Sequence, residues 1–188
     1  MVRFIDLQAI GPQGSTVGFA TLNGYIHGMI GVNLLLYEIT DWLGLVPFGF
    51  VFGFAIFGLV QWIRRKDFLK VDRSLLVLGG FYIVVMVVYI LFEMFVVNYR
   101  PVLINGHLEA SYPSSTTTLV LCVMPTAIMQ FQMRVKSIRF RRIIAVTISV
   151  FTVFMVIGRL MSGVHWITDI IGGFLLSAGL VMLYDGFR

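Results

Sequence analysis

The sequence predicts an all-α polytopic membrane helix bundle, a single integral membrane domain over residues 1–188. Three observations lead there. Of the 188 residues, 59% are hydrophobic and only 12% charged, whereas a soluble domain carries about 25% charged residues. Apolar stretches recur that match the roughly 20 residues a helix needs to cross the hydrocarbon core. The basic residues are gathered between those stretches instead of being spread along the chain.

In chain order, the opening "MVRFIDLQAIGPQGS" has no apolar core long enough for a signal peptide. The polar stretch "AIGPQGSTVG" reads as an outer-face segment, which a preceding span would have to export. Region 19–41 carries Asn23, His27, Asn33, Glu38 and Asp41 among apolar residues. Such groups are costly in lipid but acceptable on a helix lying in the interface, so an interfacial helix is favoured over a sixth span. His27 reads as an interfacial polar residue. Four clean spans follow at about 45–63, 74–98, 114–133 and 140–161. A fifth at about 166–184 is interrupted only by Asp169.

The loops "RRKDFLKVDR" and "RVKSIRFRR" hold ten of the fourteen basic residues, and Arg188 falls on the same side. The positive-inside rule places that face in the cytoplasm. The net charge of +5 is thereby accounted for, and no nucleic-acid role is assigned. Cys122 is the only cysteine, which excludes an internal disulfide and a cysteine-rich metal site.

Arg3, Arg100 and Arg159 are left for the outer face. Arg100 lies in "NYRP" after the second clean span, and Arg159 in "GRLMSGVHWITD" between the fourth and the fifth. Charges bordering apolar spans are expensive, and arginine forks suit phosphate oxygens. Ser114 and Ser115, in "SYPSSTTTLVLC", stand where a helix begins and offer hydroxyls and free backbone N–H groups to an anion. His165 and Asp169 are four apart, a spacing that stacks them on one helical face. A carboxylate behind an imidazole fixes the tautomer and frees the other nitrogen as nucleophile or base.

These residues are where the chain resembles the type-2 phosphatidic acid phosphatase superfamily of membrane lipid phosphate phosphatases. That family carries KxxxxxxRP, PSGH and SRxxxxxHxxxD in order on the same side of successive helices. Here they read "EMFVVNYRP", "PSST" and "GRLMSGVHWITD", and the resemblance covers about 45–185. It implies that Arg100 and Arg159 bind phosphoryl oxygens, with Ser114 and the backbone of Ser115 adding hydrogen bonds. It implies that His165 attacks phosphorus to form a phosphohistidine, oriented by Asp169, which water then hydrolyses. It implies no metal and no cofactor, a membrane setting and a phosphorylated lipid substrate. The expected location is a bacterial plasma membrane, with the site on the extracytoplasmic side.

The family pattern is broken at three positions. Glu93 stands where it has lysine, Thr116 where it has the histidine that protonates the leaving oxygen, and Gly158 where it has serine. Threonine is no acid near neutral pH. A leaving alkoxide needs a proton, whereas a leaving phosphate monoester, with a second pKa of about 6, does not. Lipid diphosphates, polyprenyl diphosphates above all, are therefore the favoured substrates. His107 and Glu109, in "INGHLEASYP", are candidate substitute acids. A catalytically silent relative that binds lipid phosphate head groups is the alternative. No series of polar residues runs along the spans, which argues against a transporter or channel.

Overall fold

The computed structural model describes residues 2 and 4–188; Arg3, assigned above to the outer face, lies outside the described residues. Among the described residues seven α-helices follow one another: α1 Ala20–Ile30, α2 Leu34–Leu43, α3 Val46–Arg65, α4 Arg73–Met94, α5 Ser115–Arg134, α6 Ile138–Met161 and α7 Ile167–Phe187. Short 3-10 turns occupy Pro12–Gly14 and Phe68–Lys70. Five passages are long and apolar enough to cross a membrane: Leu34–Arg65, α4, α5, α6 and α7. The chain is an integral membrane helix bundle.

The expected single helix over 19–41 is instead two. α1 ends at Gly31, which takes φ 69°, and α2 restarts after Asn33, whose side chain accepts the Leu36 N–H at 3.0 Å. The eleven residues of α1 rise only about 16 Å at 1.5 Å each, about half of the hydrocarbon core. α2 runs on into α3 through Gly44 and Leu45, both right-handed helical. A further correction falls on the second clean span, which stops at Met94 short of residue 98. At Phe95 the backbone leaves the helical region (φ −105°, ψ 72°), and the backbones of Asn98 and Arg100 pair with Ser111 and Glu109 instead of continuing the helix. Residues 95–114 form a loop closed by antiparallel bridges at Tyr99 with Ala110 and Ile104 with His107.

α5 is the centre of the bundle, packed by α3, α4, α6 and α7. Val120, Val123, Met124 and Ala127 are fully buried on it and meet Leu78, Phe81 and Val85 of α4 and Tyr184 of α7. At the end away from the 95–114 loop, Asp72 gathers the basic residues. It accepts from Gln61 at 2.8 Å and Arg65 at 3.0 Å and lies 3.8 Å from Arg134. These bonds hold its carboxyl below the usual carboxylate range, with Gln61 the first cause. At the opposite end the 95–114 loop, the 162–166 turn and the N-terminal helices converge.

Candidate active site

The last turn of α6 and the first turn of α7 bracket the centre. Asp169 is the third residue of α7, where its Oδ2 accepts the Trp166 N–H at 2.9 Å. A carboxylate in that position satisfies an otherwise orphaned helix N–H, so the residue that looks like an interruption of the span is what starts it. His165 precedes the helix. The pair is therefore not stacked by helical periodicity, as its spacing suggests, and Nδ1 lies 3.7 Å from Asp169 Oδ2.

Ser111 fills the gap. Its Oγ is 3.1 Å from His165 Nδ1 and donates a short hydrogen bond to Asp169 Oδ2. Asn98 Nδ2 donates to the other carboxylate oxygen at 3.2 Å. The Asp169 carboxylate is fully buried and both its oxygens are occupied. With Ser111 donating to Asp169, His165 Nδ1–H donates to Ser111, and Nε2 keeps its lone pair. Burial, the largest cause, pushes the imidazole down to about 4. The charges of Arg100 and Arg159 push the same way against the opposing effect of Asp169. His165 is neutral at neutral pH.

Arg159 reaches Nε2 from one side, its Nη2 3.4 Å away. It is 1% exposed, and its other contacts are long: Asp41 at 3.4 Å and Thr40 at 3.5 Å. Arg100 lies 3.2 Å from Glu109. The two guanidinium carbons sit 5.0 and 5.7 Å from the centroid of one ring, Tyr37, within cation–π range. Arg100 Nε and Nη1, Arg159 Nε and Ser114 Oγ are buried with no hydrogen-bond partner in the chain. Ser114 caps α5 and is held beneath Asp169 by its own N–H, which donates to the Asp169 carbonyl at 3.1 Å. Buried polar groups without partners are rare in folded chains. Here they are three guanidinium N–H donors on the two arginines whose charges act on the imidazole, and a hydroxyl on the residue bonded to the Asp169 carbonyl, a donor set that fits the oxygens of an anion.

The remaining sequence candidates separate. Ser115 opens α5, and together with Thr116 and Glu93 it lines a cavity beside the site. Glu109 touches Arg100. His107 is exposed at the tip of the loop, pairing its backbone with Ile104. Gly158 also finds a reason. A Cβ there would come within 2.7 Å of the Thr40 methyl, so α2 occupies the space a serine would need and brings its own hydroxyl to Arg159.

Sequence alone assigns Tyr37, Thr40 and Asp41 to an interfacial helix, yet they form one face of α2 laid over Arg159. Their spacing of three and four residues is the signal that could have shown it. His27 likewise bonds the Gly163 carbonyl at 3.1 Å and packs on Trp166. Gly163, at φ 68°, lies so near Gly31 that a Cβ would fall 1.8 Å from the Gly31 carbonyl oxygen.

The model of the PAP2 superfamily matches residues 75–185, more than half of the chain. The chain belongs to the PAP2 superfamily. The matched region contains α5, α6 and most of α4 and α7, and the N-terminal helices that cover Arg159 lie before it. The crystal structure of a transmembrane PAP2-type phosphatidylglycerolphosphate phosphatase from Bacillus subtilis is similar in fold, with a TM-score of 0.50. It is 24% identical, over 87% of this chain and 90% of that one. No curated protein sequence gives a significant match. Membership in the PAP2 superfamily supports phosphatase-type hydrolase chemistry on a membrane lipid.

Proposed function

We propose that this PAP2 protein hydrolyses a lipid diphosphate through a phosphohistidine, at a site on the extracytoplasmic face. The observation that carries the reading is the set of unpartnered buried donors on Arg100, Arg159 and Ser114, beside a neutral His165 whose Nε2 Arg159 reaches. The terminal phosphoryl group sits among those donors. The Nε2 lone pair forms a bond to phosphorus as the bond to the bridging oxygen breaks, and the lipid monophosphate leaves with that electron pair. Arg159 and Arg100 stabilise the charge that builds on the equatorial oxygens. The Nδ1 proton stays in the bond to Ser111, whose hydroxyl donates to Asp169, so the imidazolium charge faces a carboxylate. Water then attacks phosphorus as the P–N bond breaks and its electron pair returns to Nε2; the water supplies the fourth oxygen of inorganic phosphate, which leaves as H2PO4⁻ carrying both water protons.

Thr116 favours diphosphates because the leaving monophosphate, with a second pKa of about 6, departs without a proton. An alkoxide, whose conjugate acid has a pKa near 16 like water, does not. The basic loops at the opposite end of the bundle, by the positive-inside rule, support the extracytoplasmic placement. The test is phosphate release from purified protein over lipid monophosphates and diphosphates. Equal or better cleavage of monophosphates would overturn the diphosphate assignment.

Glu93 and Thr116 favour a second reading, a silent relative that only binds lipid phosphate. Trapping with a diphosphate lipid labelled in its terminal phosphate separates the two, since only the enzyme leaves label on His165.

A further inference from the structure

Two of the three altered motif positions meet the same helix. Thr40 of α2 overlies Gly158, and the end of α2 rests on Thr116, since a Cβ on Gly44 would lie 3.4 Å from the Thr116 methyl. Gly44 is tied one turn back, its N–H donating to the Asp41 carbonyl at 3.0 Å. The Asp41 side chain turns to the site. Its Oδ1 lies 3.4 Å from Arg159 Nη1, and Nη2 of the same guanidinium lies 3.4 Å from His165 Nε2. Asp41 also lines the cavity of about 260 Å³ beside the site, together with Ser111, Ser115 and Thr116. It is exposed, so water reaches it.

We propose that Asp41 is the general base of the second half-reaction, activating the water that opens the phosphohistidine. The inference rests on the phosphohistidine reading above and adds a catalytic residue from a helix that precedes the region matched by the family model. A diphosphate relieves the first step of its need for an acid, because the leaving monophosphate departs unprotonated. It does nothing for the second step. Water attacking phosphorus must lose a proton, and a positioned base speeds such a step by about 10²–10⁴. An ionised carboxylate accepts hydrogen bonds and donates none, so it suits the second step and not the first.

The geometry singles out Asp41. Glu109 pairs with Arg100 but does not line the cavity. Glu93 lines the cavity, yet among the described residues it pairs with neither arginine. Asp41 does both. Along the Arg159 fork, Nη2 faces the nucleophile and Nη1 faces Asp41. A phosphoryl group lying on that edge has the imidazole at one end and the carboxylate at the other, as an in-line displacement requires. Asp41 takes one water proton as the O–P bond forms and the P–N pair returns to Nε2. It then hands that proton to the departing phosphate, which leaves as H2PO4⁻ with the carboxylate restored.

Single-turnover measurements on the full chain in liposomes test this, with a lipid diphosphate labelled in its terminal phosphate. Asp41→Asn should release lipid monophosphate in the first turnover at close to the wild-type rate. Its phosphate release should slow by about 10²–10⁴, so that label collects on His165. Asp41→Ala should behave alike and recover phosphate release when formate, a small carboxylate, is added. Equal slowing of both steps would make Asp41 a group that only positions Arg159 and would overturn the proposal. So would label that fails to collect, or label that collects in Glu93→Gln instead.

A measurement on the wild type needs no variant to fold. Its labelled phosphoenzyme, isolated by rapid quench and mixing, should decay more slowly in deuterium oxide, because a proton moves in that step. Decay at one rate in both solvents rejects the base. Lipid monophosphate released with no label on His165, in wild type and every variant, removes the phosphohistidine and the base with it.

Discussion

The two halves of the site are built in opposite ways. Around Asp169 every oxygen is answered, by Asn98, Ser111 and the Trp166 N–H. Around Arg100, Arg159 and Ser114, buried donors are left without partners and the contacts that exist are long or made to carboxylates near the surface. The contrast separates the groups that hold the nucleophile from the groups that meet the ligand. Saturation fixes an orientation before substrate arrives, and unsatisfied donors make binding of an anion favourable when it does.

The comparison breaks most severely at the nucleophile. His165→Ala should abolish phosphate release while leaving vanadate binding to the arginines measurable by calorimetry. Near wild-type turnover in that variant would remove the phosphohistidine from the mechanism. On the unsatisfied side, Thr116→His should raise turnover of lipid monophosphates by up to about 10²–10⁴, the range of a positioned general acid, with little change for diphosphates. Glu93→Lys should be tested beside it, since the nearby carboxylate offsets part of the gain. No response to Thr116→His would direct attention to Glu109, which already touches Arg100.

Arg100→Ala or Arg159→Ala should weaken vanadate about 10- to 100-fold, from charge-assisted bonds of about 1.5–3 kcal/mol. On the saturated side, Ser111→Ala should lower kcat about tenfold, the low end for a hydrogen bond to a charged group, with KM unchanged. Ser111→Thr should restore part of it. A change in KM alone would place Ser111 with the ligand and not with the nucleophile.

The smallest effect is on the pH profile. Since burial holds His165 neutral down to about 4, the acid limb of kcat/KM should fall near that value and not near the ordinary 6.5. The unfolded chain takes up the proton first, so the same group costs stability as pH falls from 6.5 toward about 4. In Ser111→Ala the limb should move, and a limb fixed at 6.5 in both proteins would show an imidazole open to water.

The spans are legible in the sequence because about 20 apolar residues between basic loops are hard to place anywhere but in a bilayer. Asp169, Ser114 and the two arginines are legible as types of residue in telling places. Ser111 is not, although it opens the very stretch of hydroxyls that marks the site. Its partners lie 54 and 58 residues further on, and no local pattern encodes such a contact. The face of α2 is hidden for a related reason. Hydropathy weighs a polar residue against lipid, and Thr40 and Asp41 face Arg159 instead.

The N-terminal helices are fastened to the site by bonds that span nearly the whole chain, such as Asn23 to Thr168, 145 residues apart. At 5–20 residues per second, a ribosome needs about 7–30 s to pass from one partner to the other. During that interval α1 and α2 exist without the turn they clasp; Thr40 bonds only the carbonyls of its own helix and Asn23 only the Gly18 carbonyl. Thr40 meets Arg159 once α6 is made, and Asn23 meets Thr168 only with the arrival of α7. The anion site is thus the last feature the nascent chain completes, and a ribosome stalled before residue 165 leaves an inserted but inert protein in the bilayer.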